Sequence, residues 1–177
     1  MAGIATSENI VPEYARKRVL VLGVGNVLFG DDGFGPSAAE YMLKNCEIPE
    51  DIYVMDVGTG SGDILFNVAL SQTKPEKIII LDAVDMKKKP GEVFQLSVDE
   101  LPASKLSDFS MHFFPSANLL KELRDQMNIN IIIVACQAER MPDSVSTGLS
   151  DSVKHAIPKA VELALKLAQQ KPSGKTD

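Results

Sequence analysis

A short apolar run that ends in a glycine-rich turn constrains the fold of this chain more than any other feature of its 177 residues. The run Val-Leu-Val-Leu spans 19–22, and glycines punctuate the turn that follows, from 23 to 35. A short, valine-rich run is typical of a strand buried on both faces, as in a parallel sheet. Because 37–45 has helical character, we predict a strand, turn and helix, with the turn at the carboxyl edge where open α/β sheets bind ligands.

Apolar strand-like and amphipathic helix-like segments alternate along the rest of the chain. This alternation predicts a three-layer α/β/α fold with a mostly parallel, twisted sheet of about five strands. The predicted strands after the first are 52–57, 77–82, 91–97 at an edge of the sheet, and 129–135. The predicted helices are 37–45, 63–71, 116–127 and 151–170, the last of them bent at Pro158.

Length and charge narrow the class of protein. The chain is expected to form one domain over 17–170, with a flexible arm at 1–16 and a polar tail at 171–177. A net charge of −6 and a pI of about 5.0 argue against a nucleic-acid surface. A membrane-spanning helix needs about 18 or more apolar residues in a row, and no such run is present. Cys46 and Cys136 lie far apart, which favours buried thiols in a reducing cytoplasm.

The glycine-rich turn lacks a nucleotide-binding motif. The dinucleotide fingerprint needs a third glycine three residues after the second, but Gly23 and Gly25 are followed by Leu28. The adjacent carboxylates of Asp31 and Asp32 would repel a phosphate, and they suit a cation or a polar substrate better. The simpler alternative is that one of these aspartates only caps the helix that follows.

Three polar residues are expected to converge at the carboxyl edge of the sheet. Asp32 follows the first strand, Asp82 closes the third strand, and His112 lies in the long polar connection 98–116. Two carboxylates and one imidazole suit a divalent metal such as nickel, zinc, copper or iron. Each residue also has an ordinary alternative, since a strand-terminal aspartate often caps a turn and a loop histidine often lies on the surface.

Nucleophilic catalysis has weaker support in the sequence. Cys136 follows a strand, but no histidine is placed beside it, and the chain contains no Gly-x-Ser-x-Gly elbow. We therefore expect Cys136 to be a buried small hydrophobic residue.

Five blocks of the sequence, in one order, resemble the nickel–iron hydrogenase maturation endopeptidases. The blocks are 21–35 (Val-Leu-Gly-Val-Gly-Asn-Val-Leu-Phe-Gly-Asp-Asp-Gly-Phe-Gly), 56–60, 80–84, 110–112, and 141–143 with 148–150 before the last helix. The resemblance covers 17–168. The segments 108–115 and 135–144 are most similar to the proteases that serve coenzyme F420-reducing hydrogenases.

The resemblance implies an aspartic-type endopeptidase that removes the C-terminal extension of a hydrogenase large-subunit precursor once nickel has been inserted. It implies nickel contacts at Asp32, Asp82 and His112, with Asp32 and Asp82 also catalytic. The nickel would be supplied by the precursor, and other divalent metals could occupy the site. Asp32 stands where the family often has glutamate, so its shorter side chain sets the carboxylate back by a methylene group.

Substrate contacts are expected around the same turns, at Gly30, Asp31, Gly58 and Gly60. The implied partner is the precursor, bound in a transient complex, with no nucleic acid and no membrane involved. Two mechanisms stay open. A divalent ion could polarise the scissile carbonyl or lower the pKa of a water, or the nickel could only dock the precursor while Asp32 acts as general base.

Other functions are compatible with the same residues. One is a metal-independent aspartate or cysteine hydrolase, the latter using Cys136. A second is a nucleotide-binding module that uses the glycine-rich turn and Asp56. A third is a non-catalytic nickel chaperone, which would bind metal through the three candidate ligands and never shorten a precursor.

His112 gives the first test. Replacing His112 with alanine should abolish processing of the precursor while leaving the fold intact, because an imidazole ligand is lost and no core residue is changed. Mass spectrometry of the precursor measures processing, and circular dichroism checks the fold. A folded variant that cleaves at the normal rate would remove His112 from the site.

Overall fold

The computed structural model describes residues 12–102, 105 and 119–171, and the strands among them form a single five-stranded sheet. The strands are β1 (Val19–Val24), β2 (Ile52–Gly58), β3 (Lys77–Val84), β4 (Val93–Leu96) and β5 (Asn130–Gln137). The helices are α1 (Phe34–Asn45), α2 (Ser61–Leu70), α3 (Leu119–Asp125) and α4 (Asp151–Gln169). Short 3₁₀ helices span Glu13–Arg16, Gly30–Gly33 and Val98–Glu100.

The sheet has the strand order β2-β1-β3-β5-β4. The pairs β1–β2, β1–β3 and β3–β5 are parallel, whereas β4 runs antiparallel to β5 at the edge. The predicted fold class and the edge position of the fourth strand are confirmed. The chain moves from β1 to one side of the sheet and then returns to the other, so a topological switch point lies between β1 and β3. Open α/β folds bind their ligands at such a point.

The two faces of the sheet bury separate cores. Alternate residues of the central strands point to opposite faces, so that Val19 and Val21 pack beneath α1 and α4 while Leu20 and Leu22 pack beneath α2 and α3. Every residue of β1 and of β3 is buried. This double burial explains why both strands are continuous apolar runs rather than alternating ones. Within the described ranges, no helix is long and apolar enough to cross a membrane.

Helix α1 begins earlier than expected because glycines let it approach the sheet. The sequence predicted a start at Ser37, but the helix starts at Phe34. A Cβ added to Gly35 would lie 2.2 Å from the carbonyl oxygens of both Leu81 and Val24, and one added to Gly23 would lie 2.3 Å from the Gly35 oxygen. Glycines at these positions therefore form a close crossing of helix and sheet rather than only a flexible turn.

Several other boundaries differ from the sequence expectation. Asp82 does not close the third strand, since β3 continues to Val84, and β5 continues two residues past Ala135 to Gln137. Helix α2 starts at Ser61 rather than at residue 63, and α4 continues through Pro158. The predicted start of α3 at 116 lies outside the described residues.

Part of the segment that was expected to form a flexible N-terminal arm packs against the domain. Residues Glu13–Arg16 form a 3₁₀ helix, and its residue Ala15 is buried. The ring of Tyr14 lies 6.3 Å from that of Tyr53, and the Thr73 hydroxyl donates a hydrogen bond to the Ala15 carbonyl. These contacts attach the segment to the domain because they remove an alanine and an aromatic ring from water. Residues 1–11 lie outside the described part.

Two cationic side chains, Lys77 at the start of β3 and Arg18 just before β1, bind the carboxyl end of α4. Lys77 is almost fully buried, and its Nζ donates hydrogen bonds to the Leu167 oxygen at 2.6 Å and the Gln170 oxygen at 2.8 Å. Arg18 donates to the Ala168 oxygen at 3.0 Å. Burial lowers the pKa of Lys77. Positive charge at a helix C-terminus also complements the helix dipole.

We expect Lys77→Met to destabilise the fold by about 1–3 kcal/mol, because it leaves helix carbonyls without a buried donor. Urea unfolding measures the change. The matched control is Lys154→Met on the exposed part of the same helix, where the change should be under about 0.5 kcal/mol. Equal losses in the two variants would show that Lys77 does not stabilise the helix end.

Candidate functional site

Two carboxylates and one ammonium meet at the switch point. Asp32 lies in the 3₁₀ helix that follows β1, and Asp82 lies near the carboxyl end of the neighbouring strand β3. The Lys105 Nζ lies 2.9 Å from Asp32 Oδ1 and 3.1 Å from Asp82 Oδ1. The structure therefore brings two of the three sequence-predicted ligands together around one cationic group.

The two carboxylates differ in exposure. The Asp82 side chain has no exposed surface, because it shares the face of β3 that packs against α2 and α3. The Asp32 side chain is 23% exposed, and its second oxygen accepts a hydrogen bond from the Asn26 amide at 2.8 Å. This amide fixes the orientation of the Asp32 carboxylate. Asp32 thus forms the side of the pair that water reaches, and Asp82 forms the closed side.

Lys105 is the site residue that sequence reasoning missed. It stands in an ordinary polar stretch, Pro-Ala-Ser-Lys-Leu, with no motif around it. Only the length of the 98–116 connection indicated that this segment serves a function. A second signal was available in principle, because a buried strand carboxylate such as Asp82 needs a partner of opposite charge.

His112 lies outside the described residues, so its place beside the carboxylates stays a prediction. Among the residues that the structure describes, no group of three or more histidine, cysteine, aspartate or glutamate side chains is arranged to hold a metal ion. The described donor set is therefore a carboxylate pair. Its charge fits a cation, and Lys105 supplies that cation in the structure.

Asp31 has a structural role, and the substrate contact expected at this residue stays a prediction. Its fully buried carboxylate accepts hydrogen bonds from the amides of Glu139 (2.8 Å), Arg140 (2.7 Å) and Ser150 (2.6 Å), and from the Ser150 hydroxyl (2.9 Å). The carboxylate has no exposed surface in the structure. The carboxylate ties the loop before α4 to the glycine-rich turn.

The helix-capping alternative is wrong for both aspartates. The residue that precedes α1 is Gly33, and no side chain caps that end of the helix. Asp31 turns instead toward the loop before α4, and Asp32 turns toward Asn26 and Lys105.

Gly30 supports the same loop junction. Its φ of +57° is a left-handed conformation that favours glycine, and a Cβ there would lie 2.8 Å from Pro142 Cδ. Its amide donates to the Ser146 oxygen at 2.8 Å, and the Asp31 amide donates to the Arg140 oxygen at 3.0 Å. Gly30 is therefore used to pack two loops together, and a contact with substrate stays a prediction.

Gly58 and Gly60 lie beside the turn, at the carboxyl end of β2. The Gly58 oxygen accepts a hydrogen bond from the Gly25 amide at 3.0 Å, and the Gly58 amide donates to the Asp56 carboxylate at 2.8 Å. Gly60 directly precedes α2. Both glycines are partly exposed at the edge of the sheet that carries Asp32. This exposure is compatible with substrate contacts, which stay a prediction.

Cys136 is not placed to act as a nucleophile. Its thiol is fully buried in the core beneath α1 and α4. Burial, together with the negative charge of Asp31, raises the pKa of Cys136 to about 12. The thiol therefore stays protonated and out of reach of a substrate, and the cysteine-hydrolase alternative is wrong.

Comparisons with known proteins agree on one family. The family model HycI, described as hydrogenase maturation protease, matches residues 36–167. The coenzyme F420 hydrogenase subunit delta of Methanothermobacter thermautotrophicus is 35% identical over 151 residues, which cover 83% of this chain and 92% of the relative.

Two solved structures share the fold. The [NiFe] hydrogenase maturation protease HybD from Thermococcus kodakarensis is 36% identical, with a TM-score of 0.60 over 86% of this chain and 99% of that one. The hydrogenase maturating endopeptidase HybD from E. coli is 28% identical, with a TM-score of 0.67 over 86% of this chain and 92% of that one.

The Asp31 junction yields a stability prediction. Asp31→Asn should cost about 2–4 kcal/mol of unfolding free energy, because the amide group that replaces one oxygen cannot accept the hydrogen bonds made there. Urea unfolding measures the loss, and hydrogen exchange should show faster exchange of the Glu139, Arg140 and Ser150 amides. The exposed Asp143→Asn serves as control. Unchanged exchange in these amides would contradict the structural role of Asp31.

Proposed function

The chain belongs to the hydrogenase maturation protease family and is an endopeptidase, and we propose that it cleaves the C-terminal extension from a nickel–iron hydrogenase large-subunit precursor that has received its nickel. The observation that carries the proposal is the convergence of Asp32 and Asp82 on one cationic group at the switch point. The nickel is part of the substrate and arrives with the precursor.

The charge of the carboxylate pair supports recognition of nickel. Asp32 and Asp82 bring two carboxylates to one point, and both contact the ammonium of Lys105. Carboxylates in a partly buried site attract a cation strongly, since the surrounding dielectric is lower than that of water. A precursor without nickel lacks the group that the pair attracts and would bind weakly. In this proposal, metal insertion is therefore checked before the peptide is removed, and the His112 imidazole completes the donor set.

Asp32 and Asp82 have different roles in this proposal because they differ in burial. Asp82 is closed to solvent and serves to bind and orient the cation. Asp32 is reached by water and is held in place by the Asn26 amide, so it is the better placed of the two to accept a proton from an attacking water. We assign the general-base role to Asp32 on this ground.

The substrate that we propose is the large-subunit precursor of a coenzyme F420-reducing hydrogenase. The support is the similarity to a coenzyme F420 hydrogenase subunit delta over most of both chains. The complex with the precursor would be transient, because the cleaved product no longer needs the enzyme. We place the reaction in the cytoplasm, since Cys46 and Cys136 are both free thiols and reducing compartments maintain thiols.

The test is a cleavage assay read by mass spectrometry. Purified enzyme is mixed with the precursor, either nickel-loaded or nickel-free, and loss of the C-terminal peptide is expected only from the loaded form. Asp32→Asn and Asp82→Asn should each slow cleavage by at least about 100-fold, because each removes a charge at the reacting centre. Glu162→Gln, on the exposed face of α4, is the matched control and should cleave at the normal rate.

The other outcomes separate the alternatives. Cleavage of both the nickel-loaded and the nickel-free precursor would support the endopeptidase function and show that nickel is not the recognised group. If neither form is cut while the protein itself binds nickel, the nickel-chaperone function replaces the endopeptidase assignment for this substrate.

A further inference from the structure

We propose that the Lys105 ammonium occupies the cation position of the free protein, and that a divalent cation binds to Asp32 and Asp82 only by displacing it. The inference rests on the proposed function for the identity of the two carboxylates as cation ligands. It adds a residue that neither the sequence motifs nor the proposed donor set contains.

The geometry shows that Lys105 is held as a bound cation would be. Its Nζ is within 3.1 Å of an oxygen from each carboxylate, and its side chain is only 10% exposed. Hydrogen bonds between an ammonium and carboxylates are among the strong ones in proteins, and low exposure limits their screening by water. Lys105 thereby holds two like charges close together that would otherwise repel.

Lys105 and a divalent ion would compete for the same carboxylate oxygens. A transition-metal ion binds carboxylate oxygens at about 2.0–2.2 Å. The ammonium nitrogen already lies 2.9 Å and 3.1 Å from Asp32 Oδ1 and Asp82 Oδ1. A metal shared by these two oxygens would compete with the ammonium for them and would carry the same sign of charge. Because Asp82 has no exposed surface, the ion also reaches this carboxylate only after its neighbours move.

A lysine side chain suits this position because a divalent ion must displace its ammonium from the two carboxylates. A lysine carries a compact charge on a flexible four-carbon stem, whereas an arginine would bind two carboxylate oxygens in a rigid fork. Displacing the ammonium lowers the affinity for free ions. Nickel carried by a precursor arrives with the contacts of a protein interface, and these offset that cost. Lys105 would thus favour the loaded precursor over free metal in solution.

The first test measures binding of the metal alone. NiCl₂ is titrated calorimetrically into the full chain as wild type, Lys105→Met and Lys105→Arg. Lys105→Met should bind Ni²⁺ at least about tenfold more tightly than wild type, because no charged competitor remains. Lys105→Arg keeps the charge and should bind no more tightly than wild type. Lys154→Met, which removes an exposed lysine, should match wild type. Equal or weaker binding by Lys105→Met would overturn the proposal.

A second test uses the wild-type chain, so it does not depend on a variant that folds. Lysines are reductively methylated with and without NiCl₂, and each site is quantified by mass spectrometry. Lys105 should react several-fold faster when Ni²⁺ is present, because its ammonium is released to solvent. Lys77, buried against the end of α4, should stay protected in both samples, and Lys154 should react in both. An unchanged rate at Lys105 under saturating Ni²⁺ would overturn the proposal.

The two proposals fail in different ways. If nickel-dependent cleavage is absent but Lys105 is released by Ni²⁺, the displacement stands and the proposed substrate is wrong. In the opposite case, cleavage depends on nickel, but Ni²⁺ does not expose Lys105 to methylation and Lys105→Met does not bind Ni²⁺ more tightly. The endopeptidase function then stands, and Lys105 is only a structural partner of the carboxylates.

Discussion

The close crossing of α1 over the two central strands is the constraint on which the site depends. Gly35 packs its backbone against the carbonyls of Val24 and Leu81, at a distance that no larger residue permits. This crossing brings the start of α1, and the 3₁₀ helix before it, directly onto the gap between β1 and β3. Asp82 follows Leu81 on β3, so the same contact that packs the helix also brings Asp32 within reach of the same ammonium as Asp82.

Two neighbouring aspartates in that 3₁₀ helix have opposite roles. Asp31 points into the protein and accepts four hydrogen bonds from the loop before α4, while Asp32 points to the partly open side of the switch point. The hydrogen bonds of Asp31 make the turn rigid, and this rigid turn holds Asp32 in position. A carboxylate that must meet a metal or a water at a defined distance needs such support, because small misplacements cost much of the catalytic rate.

Much of the architecture could be predicted because the strands and helices here are set by local patterns. Buried apolar runs predicted strands, as at 19–22 and 77–82, and an amphipathic pattern predicted the helix at 151–170. The edge position of 91–97 was predicted from its weak alternation of apolar and polar residues. Their ends were less predictable, as at Ser37 and Asp82, because tertiary contacts extend an element past its local signal. The 3₁₀ helix at Glu13–Arg16 was missed for the same reason, since its burial depends on residues far along the chain.

The sequence by itself determined the α/β class, the glycine-rich turn after the first strand, and the candidacy of Asp32 and Asp82, because these depend on residue type, spacing and strand position. Only the tertiary structure decided that Asp31 is a buried junction and that Lys105 joins the two carboxylates, whereas the burial of Cys136 confirms the sequence prediction. The physical reason is distance along the chain. Asp32 and Lys105 are separated by 73 residues, and Asp31 and Ser150 by 119. No local pattern encodes a charge pair or a hydrogen bond between groups that only the folded sheet brings together.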